Sequence, residues 1–135
     1  MYMEHIYNDG GRSQYFKAGG VGDCVCRAIA IATKKDYKEV YDIIKKVTKE
    51  NPRNGLTNKA TKKVMSHFGG VWTATMKIGS GCKVHLTENE LPKGRLICNV
   101  SGHVTCVIDG VINDTYDCSR DGKRCVYGYW EFSCN

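Results

Sequence analysis

The sequence has no apolar run that approaches the length of a membrane-spanning helix, and its first residues, 1–5, are unlike a secretory signal peptide. It also contains no internal repeat, no linker and no low-complexity segment. These absences argue against a membrane partner and predict one domain, residues 1–135, that resides in the cytoplasm. A chain of 135 residues is long enough to bury a substantial hydrophobic core.

The chain also lacks a strong charge bias or any motif typical of nucleic-acid binding. Lys and Arg number 20 and Asp and Glu 14, which gives a net charge of +6, and the basic residues are scattered rather than clustered. Neither a helix-turn-helix pattern nor a glycine-aromatic motif is present. A nucleic-acid partner is therefore not predicted, and Trp72 and Trp130 are expected in the core rather than as stacking platforms for bases.

Cysteine is abundant, with eight residues, but the pattern does not favour a metal site or a disulfide framework. In a chain without an export signal, the cysteines are predicted to be reduced thiols. Cys82-x-x-His85 has the spacing of metal ligands, and thiolates that could add to it come from Cys98, Cys118, Cys125 and Cys134. Structural zinc sites usually show two such close pairs, so no metal and no other cofactor is expected, with zinc as the alternative.

The stretch from Cys24 to Thr33 is apolar on nearly every side, whereas a surface helix would have one apolar stripe and a polar back. We therefore predict a central, buried helix that begins at Cys24, after a glycine-rich approach over 19–22. Asp23 is expected to cap the helix, its carboxylate accepting the free amide protons of the first turn. A thiol at the positive end of a helix dipole can have a lowered pKa, although the negative charge of Asp23 acts in the opposite direction.

The rest of the chain divides into helices and then strands. Apolar residues at helical spacing predict a helix that starts at Asp36 and ends before Pro52, with an inner face formed by Tyr37, Val40, Tyr41 and Ile44. A third helix is predicted from about Thr57 to Phe68. Short β-branched or aromatic segments follow, at 71–76, 82–86, 95–100, 103–108, 111–117 and 124–132. This order predicts an α+β fold, in which N-terminal helices pack on a C-terminal antiparallel sheet, and the first twenty-odd residues form a loop or a short strand.

A hairpin is indicated most clearly by Asp109-Gly110, which stands between two apolar runs. A turn at these two residues pairs Ile108 with Val111 and extends the register to Thr105 opposite Asp114. His103 and Asp114 then lie diagonally on the same face of the strand pair, within hydrogen-bonding reach. Asn113 points to the other face, and a slip of one residue would exchange Asn113 and Asp114.

The predicted helix and the two strands of the hairpin would carry a nucleophile, a base and an orienting acid, in that order. The imidazole of His103 can take the proton of Cys24 and supply the positive partner for its thiolate. The carboxylate of Asp114 can fix the tautomer of the ring and stabilise its charged form. Arg27, one helical turn after Cys24, can support the thiolate or a substrate, or simply pair with a carboxylate.

The order Cys, His, Asp on helix, strand and strand resembles that of the papain-like cysteine hydrolases. The Asp23-Cys24 opening is similar to that of the NlpC/P60 peptidases and of the leader-peptide peptidases of bacteriocin exporters. The resemblance covers 22–33 and 102–117, and it implies a papain-like fold with Cys24 as nucleophile, His103 as general base and Asp114 as the orienting residue. The chain as a whole resembles small proteins of bacteriophage genomes, which share the Gly-Asp-Cys helix, the Gly-His strand and the closing Tyr-Gly-Tyr-Trp.

One feature of papain has no counterpart at the same spacing. Papain has an oxyanion-hole glutamine six positions before its cysteine, where this chain has Ala18, and the nearby amides are Gln14 and Asn8. The backbone amide of Cys24 together with one of these side chains, with Gln14 as the candidate, would complete an oxyanion hole.

Two functions from different classes follow from the sequence. The first is a peptidase or amidase that acts on a protein or peptide, from the host or the phage, through a thioester intermediate. The second is a non-catalytic protein of the same fold that binds a host factor and carries a vestigial triad. Taken alone, Cys24 can be a buried structural thiol and His103 a structural histidine, and Cys26 and Cys106 are expected to be small core residues.

Overall fold

The computed structural model describes residues 3–17 and 22–133, and these ranges hold three α-helices and eight β-strands. The helices are α1 (Cys24–Thr33), α2 (Tyr37–Thr48) and α3 (Asn58–His67). The strands are β1 (Glu4–Tyr7), β2 (Val71–Ala74), β3 (Val84–His85), β4 (Arg95–Val100), β5 (His103–Ile108), β6 (Val111–Asp114), β7 (Cys125–Val126) and β8 (Gly128–Phe132). The fold is therefore α+β, as predicted.

Six strands form one mixed sheet in the order β1-β6-β5-β4-β8-β2, and β3 pairs with β7 in a separate two-stranded sheet. Four of the five pairings in the large sheet are antiparallel, but β1 runs parallel to β6, with Glu4 opposite Val111. The predicted antiparallel pairing thus holds for the C-terminal strands of this sheet, but the sheet as a whole is mixed because the N-terminal strand β1 joins it in parallel. The sequence did not indicate this pairing, because β1 joins the sheet through its backbone, while Ile6 and Tyr7 remain exposed and give no apolar alternation.

Helix α1 begins at Cys24 and is buried from Val25 to Ala32, which confirms the predicted central helix. It packs mainly against β5, and its neighbour on the other side is α2. The glycine-rich approach predicted over 19–22 falls outside the described residues except for Gly22. Helices α2 and α3 also confirm their predictions, and the four inward residues of α2 are buried, namely Tyr37, Val40, Tyr41 and Ile44.

Asp23 occupies the N-cap position of α1, but its carboxylate makes no capping hydrogen bond. The predicted cap is wrong because the carboxylate is fully buried and is held by other groups. It pairs with the guanidinium of Arg27 and accepts a hydrogen bond of 2.9 Å from the hydroxyl of Tyr37. The guanidinium of Arg12 approaches it to 3.4 Å.

The predicted hairpin is present between β5 and β6. Asp109 and Gly110 have φ angles of 48° and 83°, and positive values at both positions are those of a type I′ turn. Ile108 pairs with Val111, and the register continues through Val107 and Ile112. His103 and Asp114 therefore lie on one face of the hairpin, as predicted.

Each face of the large sheet has its own core. On the helical face, Val104 and Cys106 pack against α1 with residues of β4 and β8. On the opposite face, Val107 and Ile112 pack with residues from the small sheet and the loops around it, including Leu86, Leu91, Cys118 and Val126. The sheet is thus covered on both sides, and its strands are largely apolar on both faces.

Trp130 is buried, but Trp72 on edge strand β2 is 42% exposed, so the prediction of two core tryptophans is wrong for Trp72. The two residues are paired across β2 and β8, and their ring centroids lie 4.5 Å apart. The ring of Trp72 also covers Gly128, where a Cβ atom would lie only 2.2 Å from the ring. A side chain at position 128 would displace this tryptophan.

Cys82 and Cys125 form a disulfide, so the prediction that the cysteines are reduced thiols is wrong for this pair. The bond ties the segment before β3 to the start of β7, across 43 residues of sequence. Cys82 is therefore not a thiolate that could bind zinc with His85, whose ring contacts Glu90 at 3.2 Å instead. In the part of the chain that the structure describes, the remaining cysteines are free: Cys24, Cys26, Cys98, Cys106 and Cys118.

No helix among the described residues is both long enough and apolar enough to cross a membrane.

The buried core of α1 predicts a large stability difference between two isoleucine substitutions. Ile29→Ala should lower the free energy of unfolding by about 2–5 kcal/mol, because Ile29 is fully buried between α1 and the sheet and its removal leaves a cavity. Ile78→Ala is the matched control and should change it by less than about 0.5 kcal/mol, since Ile78 is fully exposed. Urea denaturation of both variants measures the difference, and equal losses would contradict the central position of α1.

Candidate active site

Cys24 lies at the mouth of a cavity of about 360 Å³ between the start of α1 and the β4–β5 hairpin. Its thiol is half-buried, whereas the rest of the helix up to Ala32 is buried. His103 lines the same cavity, together with the start of α3 and the loop residue Tyr127. Because Cys24 is the first residue of α1 and His103 the first of β5, the cavity is built from the ends of elements rather than from their middles.

His103 is held in place by Asp114, and the predicted hydrogen bond between them is present. The distance from His103 Nε2 to Asp114 Oδ2 is 2.8 Å, and both side chains are more than nine-tenths buried. The hydroxyl of Thr105, on the same face of β5, donates a hydrogen bond of 2.7 Å to the same carboxylate oxygen. The ring of Tyr116 packs over the imidazole with a centroid distance of 5.4 Å. The ring is thereby fixed in one orientation.

The thiol of Cys24 and the ring of His103 are electrostatically coupled. Burial raises the pKa of Cys24, but the hydrogen bond and charge of His103, the backbone N–H of Val104 and the charge of Arg27 outweigh it, and the pKa lies below its ordinary value. Burial alone would lower the pKa of His103, yet its hydrogen bonds to Asp114, Cys118 and Cys24 raise it far above its ordinary value. Both directions favour a thiolate paired with an imidazolium.

Arg27 connects the two acidic residues behind this pair. It is buried and pairs with Asp23 one turn earlier on α1, and its Nη2 lies 3.4 Å from Asp114 Oδ1. Burial raises the pKa of Asp114, but hydrogen bonds from His103 and Thr105 and the charge of His103 outweigh it and hold the pKa below its ordinary value. Arg27 thus pairs with carboxylates, the simpler of the two roles expected from the sequence, and also contributes to the lowered pKa of Cys24.

The other buried thiols have the opposite character. Burial raises the pKa of Cys26 and of Cys106 to about 12, and it also raises that of Cys98. Cys26 and Cys106 are both packed in the core on the helical face, which confirms their prediction as small core residues. Cys24 differs from these three thiols in that its pKa lies below the ordinary value.

The amides proposed near Cys24 lie elsewhere. Gln14 is exposed on a 3₁₀ turn, Arg12–Gln14, and does not line the cavity. Asn8 donates a hydrogen bond of 3.2 Å to Asn113. Asn113 pairs with Cys106, which belongs to the helical face, so Asn113 and Asp114 lie on different faces of β6, as predicted. Ala18, at the papain spacing, and Cys134, a candidate thiolate, lie outside the described residues.

The sequence interpretation gave three residues no part in this site, although it placed Thr105 opposite Asp114 and named Cys118 as a candidate zinc ligand. Thr105 shares the face of His103, and the alternation of the strand could have indicated its contact with Asp114. Cys118 lies beyond β6, and its sulfur comes within 4.8 Å of the side chains of His103 and Asp114. Asn99, which lines the cavity, interrupts the apolar strand β4, and a polar residue inside such a run is a detectable signal.

The coupling of Cys24 to His103 predicts selective alkylation. At about pH 6 the raised pKa values of three buried thiols keep them protonated, namely Cys26, Cys98 and Cys106. The lowered pKa of Cys24 keeps a larger fraction of this thiol as thiolate, so iodoacetamide should label Cys24 before these three. His103→Ala should slow this labelling at least about tenfold, because burial then raises the pKa of Cys24 without the opposing hydrogen bond and charge of the imidazole. Peptide mapping by mass spectrometry after short exposures measures both rates.

His85→Ala serves as the matched control, since the half-buried His85 pairs with Glu90 away from the cavity. Its labelling rate should equal that of the unmodified protein. Equal and slow labelling of Cys24 with and without His103 would show that Cys24 is a buried structural thiol.

Comparisons with protein-family models, with curated proteins and with solved structures find no match to this chain. What the cavity does has to be inferred from the side chains that line it.

Proposed function

We propose that this protein is a cysteine hydrolase, a peptidase or amidase on a papain-like fold that works through a thioester acyl-enzyme. The observation that carries this proposal is the position of His103, which shares the cavity with Cys24 and hydrogen-bonds Asp114 at 2.8 Å. A nucleophile, a base and an orienting acid are the three parts that acyl transfer requires. The lowered pKa of Cys24 supplies the reactive form of the nucleophile.

Acylation begins when the Cys24 sulfur attacks the carbonyl carbon of an amide. A carbon–sulfur bond forms, and the electron pair of the carbonyl π bond moves to oxygen. When the carbonyl re-forms, the carbon–nitrogen bond breaks and His103 gives its proton to the leaving amine. In deacylation, His103 takes a proton from water, whose oxygen attacks the thioester and restores the Cys24 thiolate. Asp114 keeps the ring oriented through both halves.

The start of α1 is suited to stabilise the negative oxygen of the intermediate. The side chain of Asp23 is turned into the core and does not cap the helix, so the first-turn N–H groups have no side-chain acceptor. The backbone N–H of Cys24 is one of these donors and belongs to the residue that forms the covalent bond. Hydrogen bonds from backbone N–H groups at a helix N-terminus become stronger as negative charge develops on the substrate oxygen.

The surroundings of the cavity fit an extended peptide with an uncharged group near the reacting carbonyl. Apart from Cys24, His103 and Tyr127, its lining has no ionisable side chain and includes the glycines 22, 55 and 102. We propose a protein or peptide substrate, in the host cytoplasm if the chain is phage-encoded, as its resemblance to phage proteins implies. Neither Cys82 nor Cys125 lines the cavity, so reduction of their disulfide in a cytoplasm would leave the site in place.

A non-catalytic, host-binding protein of the same fold is the alternative, and two observations favour it. Gln14 lies outside the cavity, so no glutamine among the described residues takes the place of the papain oxyanion donor. Both edge strands also expose large apolar side chains, including Tyr7 on β1 and Val71 on β2. On this hypothesis Cys24 would still be a thiolate but would not turn over an acyl group.

The two functions differ in their response to an activated ester. On the hydrolase proposal, 4-nitrophenyl acetate should acetylate Cys24, release 4-nitrophenolate in a burst and then turn over slowly. Cys24→Ala should abolish the burst, and His103→Ala should reduce it at least about a hundredfold. Stopped-flow absorbance and intact-protein mass spectrometry measure the burst and the acetyl group.

Cys106→Ala is the control for thiol removal, because Cys106 is buried in the core away from the cavity. It should keep the full burst if it remains folded, which circular dichroism can establish. Fast alkylation of Cys24 by iodoacetamide without any acetyl-enzyme would support the binding protein and contradict the hydrolase.

A metal centre is a further candidate, because ligand atoms of His103, Asp114 and Cys118 lie within 4.8 Å of one another. The carboxylate oxygens of Asp114, however, already have other partners. One oxygen of Asp114 accepts from His103 and Thr105, and the other accepts from the Thr115 N–H at 2.7 Å and faces Arg27. A bound cation would have to compete with a buried guanidinium.

Protein purified without chelator should therefore contain no stoichiometric zinc, as elemental analysis can measure. Cys118→Ser should leave both the metal content and the alkylation rate of Cys24 within about twofold of their original values. One zinc ion per chain that disappears in Cys118→Ser would replace the hydrolase proposal with a metal site.

A further inference from the structure

We infer that the side-chain amide of Asn99 on β4 is the second donor to the substrate oxygen, the role that the sequence assigned to Gln14. This inference rests on the proposed hydrolase function, since it concerns the oxygen that becomes negative during acylation. Asn99 lines the cavity that contains Cys24 and His103, whereas Gln14 does not. Its position follows from the register of the sheet.

Asn99 pairs directly with Val104 across β4 and β5. Residues that pair directly lie on the same face of a sheet with their Cβ atoms about 5 Å apart. Val104 packs against α1 in the helical core, and its backbone N–H interacts with the sulfur of Cys24. The side chain of Asn99 therefore leaves the sheet on the side of α1, next to the nucleophile.

The backbone of Asn99 is fixed, while its side chain has no protein partner. Strand β4 lies between β5 and β8, and the carbonyl of Asn99 accepts a hydrogen bond of 2.9 Å from Tyr127. Among residues 3–17 and 22–133, no hydrogen-bond partner is found for its side-chain amide. An amide that is half-buried on a rigid strand without a partner is available to donate to a bound ligand.

During acylation, the side-chain amide of Asn99 would donate a hydrogen bond to the oxygen that becomes negative. As the Cys24 sulfur bonds to the carbonyl carbon, the π electrons move to oxygen, which needs donors that are already in place. The backbone N–H of Cys24 is one, and the NH₂ group of Asn99 is the other. Asn58 also lines the cavity, but it is exposed at the start of α3 and is not opposite Val104.

Two reactions of the same sulfur separate this role from a structural one. Alkylation by iodoacetamide displaces iodide at a saturated carbon and forms no oxyanion. Acylation by 4-nitrophenyl acetate passes through a tetrahedral oxyanion before 4-nitrophenolate leaves. Asn99→Ala should therefore slow acetylation about a hundredfold and change alkylation by less than about twofold.

Asn99→Leu preserves the shape of the side chain without its donor and should give the same selective loss. It also serves as the second variant if Asn99→Ala fails to fold. Asn89→Ala is the matched control, because Asn89 is exposed in the 3₁₀ turn Glu88–Glu90 and lies outside the cavity. Both rates should be unchanged in this control.

The remaining outcomes overturn the inference in distinguishable ways. Equal loss of alkylation and acetylation in both Asn99 variants would assign Asn99 a structural role. Full acetylation in both variants, or a selective loss in Gln14→Ala or Asn58→Ala instead, would place the donor elsewhere and leave the hydrolase proposal intact. If the unsubstituted protein is alkylated but never acetylated, the hydrolase proposal and this inference fail together.

Discussion

The structure depends on one buried cluster of charges, in which Arg27 lies between the carboxylates of Asp23 and Asp114. A buried guanidinium in this position would be costly without these carboxylate partners. Asp23 and Arg27 belong to α1, while Asp114 ends β6, so the same contacts join the central helix to the hairpin. Fixing this junction also fixes the distance between the thiol of Cys24 and the ring of His103.

The two aspartates of the cluster have different roles: Asp23 pairs with Arg27 at the start of α1, and Asp114 orients His103. Asp23 neutralises Arg27 and turns away from the first turn of α1, which leaves the amides of that turn uncapped. Asp114 accepts hydrogen bonds from His103 and Thr105 and contributes to the raised pKa of the imidazole. The negative charge next to Cys24 in sequence is thus compensated by a cation, while the positive charge of His103 acts on the sulfur. This division explains why the pKa of Cys24 falls despite burial.

Local patterns predicted those parts of the fold that are specified by neighbouring residues. The apolar surround of α1 indicated its burial, and Asp109-Gly110 set the register that places His103 beside Asp114. Contacts between distant segments left no such pattern. The parallel pairing of β1, the Cys82–Cys125 disulfide and the ion pair between Arg27 and Asp114 each join residues whose spacing carries no periodic signal. The resemblance to papain likewise placed the oxyanion donor before Cys24, whereas the free amide in the cavity is on β4.

The type I′ turn at Asp109-Gly110 has a consequence for how such a protein can change during evolution. Alternation along β5 and β6 puts His103 and Asp114 on one face only for the present number of residues on each side of the turn. One inserted or deleted residue would move the carboxylate to the opposite face of the hairpin and leave the imidazole without it. Descendants of this chain can therefore drift in residue type along the hairpin far more freely than in its length. Insertions can accumulate instead in loops outside this hairpin, such as the exposed segment around Ile78.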